Sequence, residues 1–205
     1  MGSLPKYAVT VKRTRREIAV TIDARVQAAR PVVFDYIAGE AVLPEVLTGY
    51  TPFLPAVVST SGRTGPWDRP GSWRIVHLKN GGTAREEVTG YERPDAFNYK
   101  SGEFTFALRH LATGATGQWW FTADGAATNI RWTYTFKVKG WLGSLLLPLF
   151  ARYLWSGYMR VCIYNTEKHF LTGGGERPHS PEILVEQGDG KTVGRLAEPP
   201  APRHA

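Results

Sequence analysis

The stretch that most constrains this chain is residues 141–172, WLGSLLLPLFARYLWSGYMRVCIYNTEKHFLT, the only segment long enough to form a major helix. Wound at about 3.6 residues per turn, it places Leu147, Ala151, Leu154, Trp155, Tyr158, Cys162, Asn165 and His169 on one stripe. Arg152, Ser156, Arg160 and Glu167 fall opposite. A helix with one side to bury needs a partner surface. The residues ahead of it supply one, since from Tyr50 onward they read mainly as strand and turn.

Taken in order, residues 1–15 read as a flexible basic arm. EIAVTIDA then alternates Ile18, Val20 and Ile22 against Ala19, Thr21 and Asp23, the period of a half-buried strand ending near Ala24. Pro31 opens a short helix in which Val32, Val33, Tyr36 and Ile37 share helical spacing, and EAVLPEVLTGY carries a second, broken around Pro44 and stopped by Gly49. Candidate strands follow at 53–61 and 72–79, joined by the loop RTGPWDRPG. Asn80-Gly81 signals a hairpin that returns the chain as TAREEVTGYE. After Arg93-Pro94-Asp95 comes AFNYKSG, and a second hairpin joins 118–123 to 129–138. Its last strand turns Ile130, Trp132, Tyr134, Phe136 and Val138 to one face. Residues 103–116, EFTFALRHLATGAT, read either as a bulged continuation of a strand or as a loop at the edge of a cavity. Residues 173–205 read by composition as a flexible tail, with Ile183, Leu184 and Val185 as a candidate short strand.

At 42% apolar and 12% aromatic residues, the 205-residue chain can bury one substantial core, here assigned to residues 16–172. The single cysteine, Cys162, excludes an internal disulfide and sits on the inward stripe as a small buried thiol. The longest uncharged apolar run, 140–151, contains Pro148 and falls short of the roughly 20 residues that cross a bilayer. No signal-peptide pattern stands at the N-terminus, and Lys6 occupies the position where myristoylation wants Ser or Thr, so a cytoplasmic protein is expected. The net charge of +7 is clustered only at Lys12, Arg13, Arg15 and Arg16, which reads as a solvated arm and not as a specific nucleic-acid site. There is no Gly-rich phosphate loop, nucleophile elbow or HExxH pattern, and His77, His110, His169, His179 and His204 lack metal-ligand spacing. Neither a metal nor a cofactor is expected.

The order of one strand, two short helices, about six strands and one long helix resembles the α+β helix-grip fold of the START/Bet v 1-like (SRPBCC) superfamily, and within it the polyketide cyclase/dehydrase-like branch. The residues carrying the resemblance are EIAVTIDARVQAARPVVFDYIA, EAVLPEVLTGY, REEVTGYERPDAFNY, GQWWFTADGAATNIRWTYTF and the terminal helix. It implies a curved antiparallel sheet of about seven strands wrapped around the long helix, with an apolar cavity between them. It also implies a hydrophobic guest such as a lipid, sterol or polyketide, or else cyclase, aromatase or dehydratase chemistry in the same cavity. Tyr50 falls where such cyclases carry a cavity tyrosine. Their strand serine and arginine correspond to Thr89 and Tyr91, which keeps a hydroxyl and loses the cation.

The residues themselves point to an aromatic-lined site. Trp132 and Tyr134 face the helix, Trp119 is the inward residue of the partner strand with Phe121, and Leu154, Trp155 and Tyr158 face them from the helix. If Asn80-Gly81 is a two-residue turn, Arg74 lies opposite Glu87 on a solvated face, and Trp73, Ile75, His77, Glu86 and Val88 turn inward. The cyclase resemblance favours the opposite face, through Thr89 and Tyr91; apolar accounting favours the first, and His77 beside Glu86 would then form an acid/base pair. Tyr50, Tyr99 and Tyr134 supply hydroxyls to orient a guest. Tyr153, Ile163 and Tyr164 on the far side of the helix suggest a further contact, with the short helices, with a partner chain in a homodimer, or as a weak membrane-surface attachment.

Overall fold

The computed structural model describes residues 7–62 and 64–173. Residues 1–6 of the expected arm and 174–205 of the expected tail, with the candidate strand at 183–185, lie outside the described residues.

The elements run β1 (Ala8–Arg13), β2 (Glu17–Val26), α1 (Arg30–Ile37), α2 (Leu43–Val46), β3 (Val57–Ser61), β4 (Trp73–Leu78), β5 (Thr83–Glu92), β6 (Ala96–Gly102), α3 (Leu108–Leu111), β7 (Ala112–Asp124) and β8 (Ala127–Val138). A helical stretch follows as α4 (Gly140–Leu149), a π-helical turn (Phe150–Trp155) and α5 (Ser156–Leu171). The strands form one antiparallel sheet of eight in the order β1-β2-β8-β7-β6-β5-β4-β3. Its inner face and the terminal helix enclose the core, which is the helix-grip arrangement.

Strict alternation makes the centre of this sheet. Ile18, Val20 and Ile22 of β2 pair with Phe136, Tyr134 and Trp132 of β8, so every second residue of both strands is buried on one side. The eighth strand comes from the expected arm. Val9 and Val11 are half-buried and pair with Ile22 and Val20, so β1 extends the sheet as its edge. Its other residues are exposed, Lys12 and Arg13 among them, which suits an edge and disguised the strand in the sequence.

The β4–β5 hairpin corrects the expected face. The Leu78 N–H donates to the Gly82 carbonyl at 2.8 Å and the Gly81 N–H to the Leu78 carbonyl at 2.9 Å, closing a three-residue loop, Lys79-Asn80-Gly81. Gly81 takes the left-handed position with φ +82°. The register is therefore Arg74↔Glu86 and His77↔Thr83, one residue away from a two-residue turn. A one-residue slip reverses one strand relative to the other. Arg74 and Val76 point inward alongside Ala84 and Glu86, whereas Trp73 and His77 point out. Residues 103–116 resolve into a loop, the single turn α3 and the first part of β7.

Candidate functional site

Between the sheet and the helix lie two adjoining chambers. The outer chamber, about 190 Å³, is floored by Val76, Ala84, Glu86, Ser101 and Tyr134 of the sheet, roofed by Phe150, Trp155 and Tyr158, and rimmed by Leu43, Leu47, the 53–57 segment and the 104–108 loop. The inner chamber, about 60 Å³, reaches Arg74, Phe97, Tyr99, Trp119, Trp132 and Cys162. Leu43, Leu47, Glu86, Tyr134 and Trp155 line both. The walls are aromatic because the inward positions of β6, β7 and β8 are: Trp119 stacks on Trp132 at 4.3 Å between centroids, and Tyr134 meets Trp155 at 4.5 Å.

One charged pair is buried in this apolar setting. Arg74, 2% exposed, donates from Nε and Nη2 to Glu86 Oε2 at 3.1 and 2.9 Å and from Nη1 to the Glu40 carbonyl at 2.9 Å. Its guanidinium lies 3.8 Å from the Trp67 ring centroid. Pairing is what lets both charges persist away from water. Burial raises the pKa values of Tyr99, Tyr134 and Tyr158, so all three phenols are neutral donors at physiological pH; Tyr158 donates to the Pro55 carbonyl at 3.0 Å. Burial likewise pushes the Cys162 thiol up, away from nucleophilic chemistry. The indole N–H groups of Trp132 and Trp155 are buried without an acceptor among the described residues. An oxygen on a guest would satisfy either.

Of the residues singled out from sequence, Glu86, Tyr99, Trp119, Trp132, Tyr134, Trp155 and Tyr158 converge on the cavity. Four do not. Trp73 lies on the outer face under the Arg85 guanidinium, and His77 pairs with the Ser61 hydroxyl at 2.6 Å, so no His77–Glu86 couple forms. Tyr50 lies outside both chambers with its ring on Gly157, so close that a β-carbon there would stand 2.1 Å from it. Leu154 is half-buried and lines neither chamber. The cyclase-like positions fare no better as a pair: Thr89 is exposed at a β-bulge, while Tyr91 packs against Phe34 and Phe97. Sequence reasoning missed Arg74, whose inward face followed from the hairpin register; of the two readings left open for residues 103–116, the loop at a cavity edge is the one 104–107 adopt.

A family model described as polyketide cyclase / dehydrase and lipid transport matches residues 11–170. No curated protein sequence matches the chain. Among solved structures, norcoclaurine synthase from Thalictrum flavum, in complex with dopamine and hydroxybenzaldehyde, superposes with a TM-score of 0.58 at 13% identity over 80% of this chain and 89% of that one. Major latex-like protein 151 from Panax ginseng gives 0.55 at 13% identity over 76% and 98%. Protein Ms6760 from Mycobacterium smegmatis gives 0.50 at 20% identity over 78% and 96%. At such identities the likeness is one of fold.

Proposed function

The chain belongs to the polyketide cyclase/dehydrase and lipid transport family, and from that premise we propose that it holds a small, flat, uncharged hydrophobic molecule between its sheet and its terminal helix. The observation carrying this reading is the aromatic-walled cavity itself, about 190 Å³ in its outer chamber. An apolar cavity of about 150 Å³ takes benzene, so the chamber suits a guest of one or two rings, and a longer one must extend past the 104–108 rim. A guest giving up about 250 Å² of apolar surface gains about 6 kcal/mol before ordering costs. Trp132 and Trp155 favour a guest bearing a carbonyl or hydroxyl oxygen, and the neutralised Arg74–Glu86 pair disfavours an ionised one. Native mass spectrometry of protein from its own host, with melting shifts across a panel of lipids, sterols and one- and two-ring phenols and ketones, tests the proposal. A retained apolar species or a selective rise in melting temperature supports it; an empty protein indifferent to the whole panel overturns it.

A second reading places chemistry in the same cavity. Glu86 is a carboxylate opening on both chambers beside the Tyr134 phenol, an arrangement that can take a proton α to a carbonyl while the phenol hydrogen-bonds the enolate oxygen that receives the electron pair. Turnover of a β-ketone that is lost in Tyr134→Phe, with guest binding retained, separates this reading from binding alone.

A further inference from the structure

α4 and the turn after it are apolar on two sides. Gly143, Leu147 and Ala151 are buried, and α4 packs on α3 and β8. On the other side Trp141, Leu145, Leu149 and Tyr153 recur every fourth residue and are 78%, 60%, 54% and 63% exposed. Four large side chains in line make an apolar strip about 18 Å long at about 1.5 Å per residue, unlike the singly scattered exposed apolar residues of an ordinary surface.

The border of the strip is cationic. Residues 7–16 and 137–160 contain no Asp or Glu. Arg13 reaches the Ser144 carbonyl at 3.0 Å, Lys139 reaches the Arg109 carbonyl at 2.9 Å, and Arg152 lies over the Tyr153 ring at 5.8 Å. Lys12, Arg15 and Arg16 are exposed beside Arg13. We propose that the strip docks in the interface of an anionic phospholipid bilayer, with α4 lying along the surface, Trp141 and Tyr153 at headgroup depth, and the cations over lipid phosphates. A second copy of the chain fits less well, because it would bring two cationic borders together. Phe150, which follows α4, and Leu108 of α3 both line the outer chamber, so the docked face adjoins the cavity. The proposal does not depend on what the cavity holds.

Co-sedimentation of the full chain with vesicles tests it. Binding is expected to phosphatidylcholine vesicles containing phosphatidylglycerol and not to phosphatidylcholine alone. It should weaken at least about tenfold at about 1 M salt, where the Debye length is about 3 Å. Trp141→Ser/Leu145→Ser should cost about tenfold or more through lost apolar burial, with little change in melting temperature because both side chains are exposed. Absence of binding to anionic vesicles at low salt overturns the proposal, as does binding that the double variant leaves intact. Dimerisation abolished by that variant, without vesicle binding, overturns it in favour of a second copy.

Discussion

Removing the Glu86 carboxylate probes how the cavity tolerates charge. The Arg74 side chain is 3% exposed and that of Glu86 13%, and two of the three hydrogen bonds from Arg74 end on Glu86. Glu86→Leu leaves a guanidinium with one backbone carbonyl and the Trp67 face. Breaking a buried pair in this way costs about 3–5 kcal/mol. At about 2–4 °C per kcal/mol for a chain of this size, the melting temperature should fall by roughly 6–20 °C. Arg74→Met/Glu86→Leu removes both charges, and such exchanges are neutral or stabilising by about 1–4 kcal/mol. The double variant should therefore recover most of what the single loses. Urea titrations of the parent, both singles and the double, followed by tryptophan emission, close the cycle. The reasoning is refuted if Glu86→Leu stays within about 1 kcal/mol of the parent, or if the double variant falls as far as the single.

Two more predictions follow from the same burial. Tyr99, Tyr134 and Tyr158 have folded pKa values above their ordinary value of 10.0, so their contribution is complete below pH 10.0 and is lost as pH rises toward the folded values. The urea midpoint should hold steady up to that pH and then drop, by up to about 1.4 kcal/mol per pH unit for each phenol, with Tyr134→Phe flattening the slope. Gly157→Ala should destabilise by about 1–3 kcal/mol, because the new methyl meets the Tyr50 ring; in a Tyr50→Ala background the same change should turn stabilising by up to about 1 kcal/mol, as read from a double-mutant cycle in urea.

Where the sequence carried the fold, it did so through unbroken alternation. Ile18 to Ile22 and Ile130 to Phe136 assign their own faces, and with them Trp119, Trp132 and Tyr134. At the β4–β5 hairpin the pattern was ambiguous, because Trp73, Ile75, Glu86 and Arg74 all have amphipathic or apolar character. The choice rested on loop length, and Asn80-Gly81-Gly82 offers a glycine for either a two- or a three-residue loop. The chain closes the longer loop, so His77 goes out and Arg74 comes in. Apolar accounting cannot foresee an arginine that is 2% exposed, since its burial depends on a partner supplied by the neighbouring strand. Tyr91 returns inward only because the bulge at Thr89 adds a residue to β5, and a bulge leaves no periodic trace.

The terminal helix shows the same arithmetic in helical form. Continued at a constant 3.6-residue phase, the face of Leu147 and Ala151 runs on through Leu154, Trp155, Tyr158, Cys162, Asn165 and His169. In the folded chain the Ser156 N–H donates to the Ala151 carbonyl, five residues back, so the turn Phe150–Trp155 holds one extra residue. The centre of the buried face therefore moves to Ser156, Met159, Ile163 and Thr166, each 3% exposed or less. Ile163, which had seemed to belong to the far side, becomes core. Pro148 lies just upstream: lacking an N–H, it leaves the Ser144 carbonyl to Arg13 of β1, so the sheet edge supplies the donor the helix lacks. Leu154 is half-buried and lines neither chamber, while Trp155 lies against Tyr134 and lines both. Trp155, which the regular stripe also places inward, holds there an indole N–H with no acceptor among the described residues, which an oxygen on a bound molecule would satisfy.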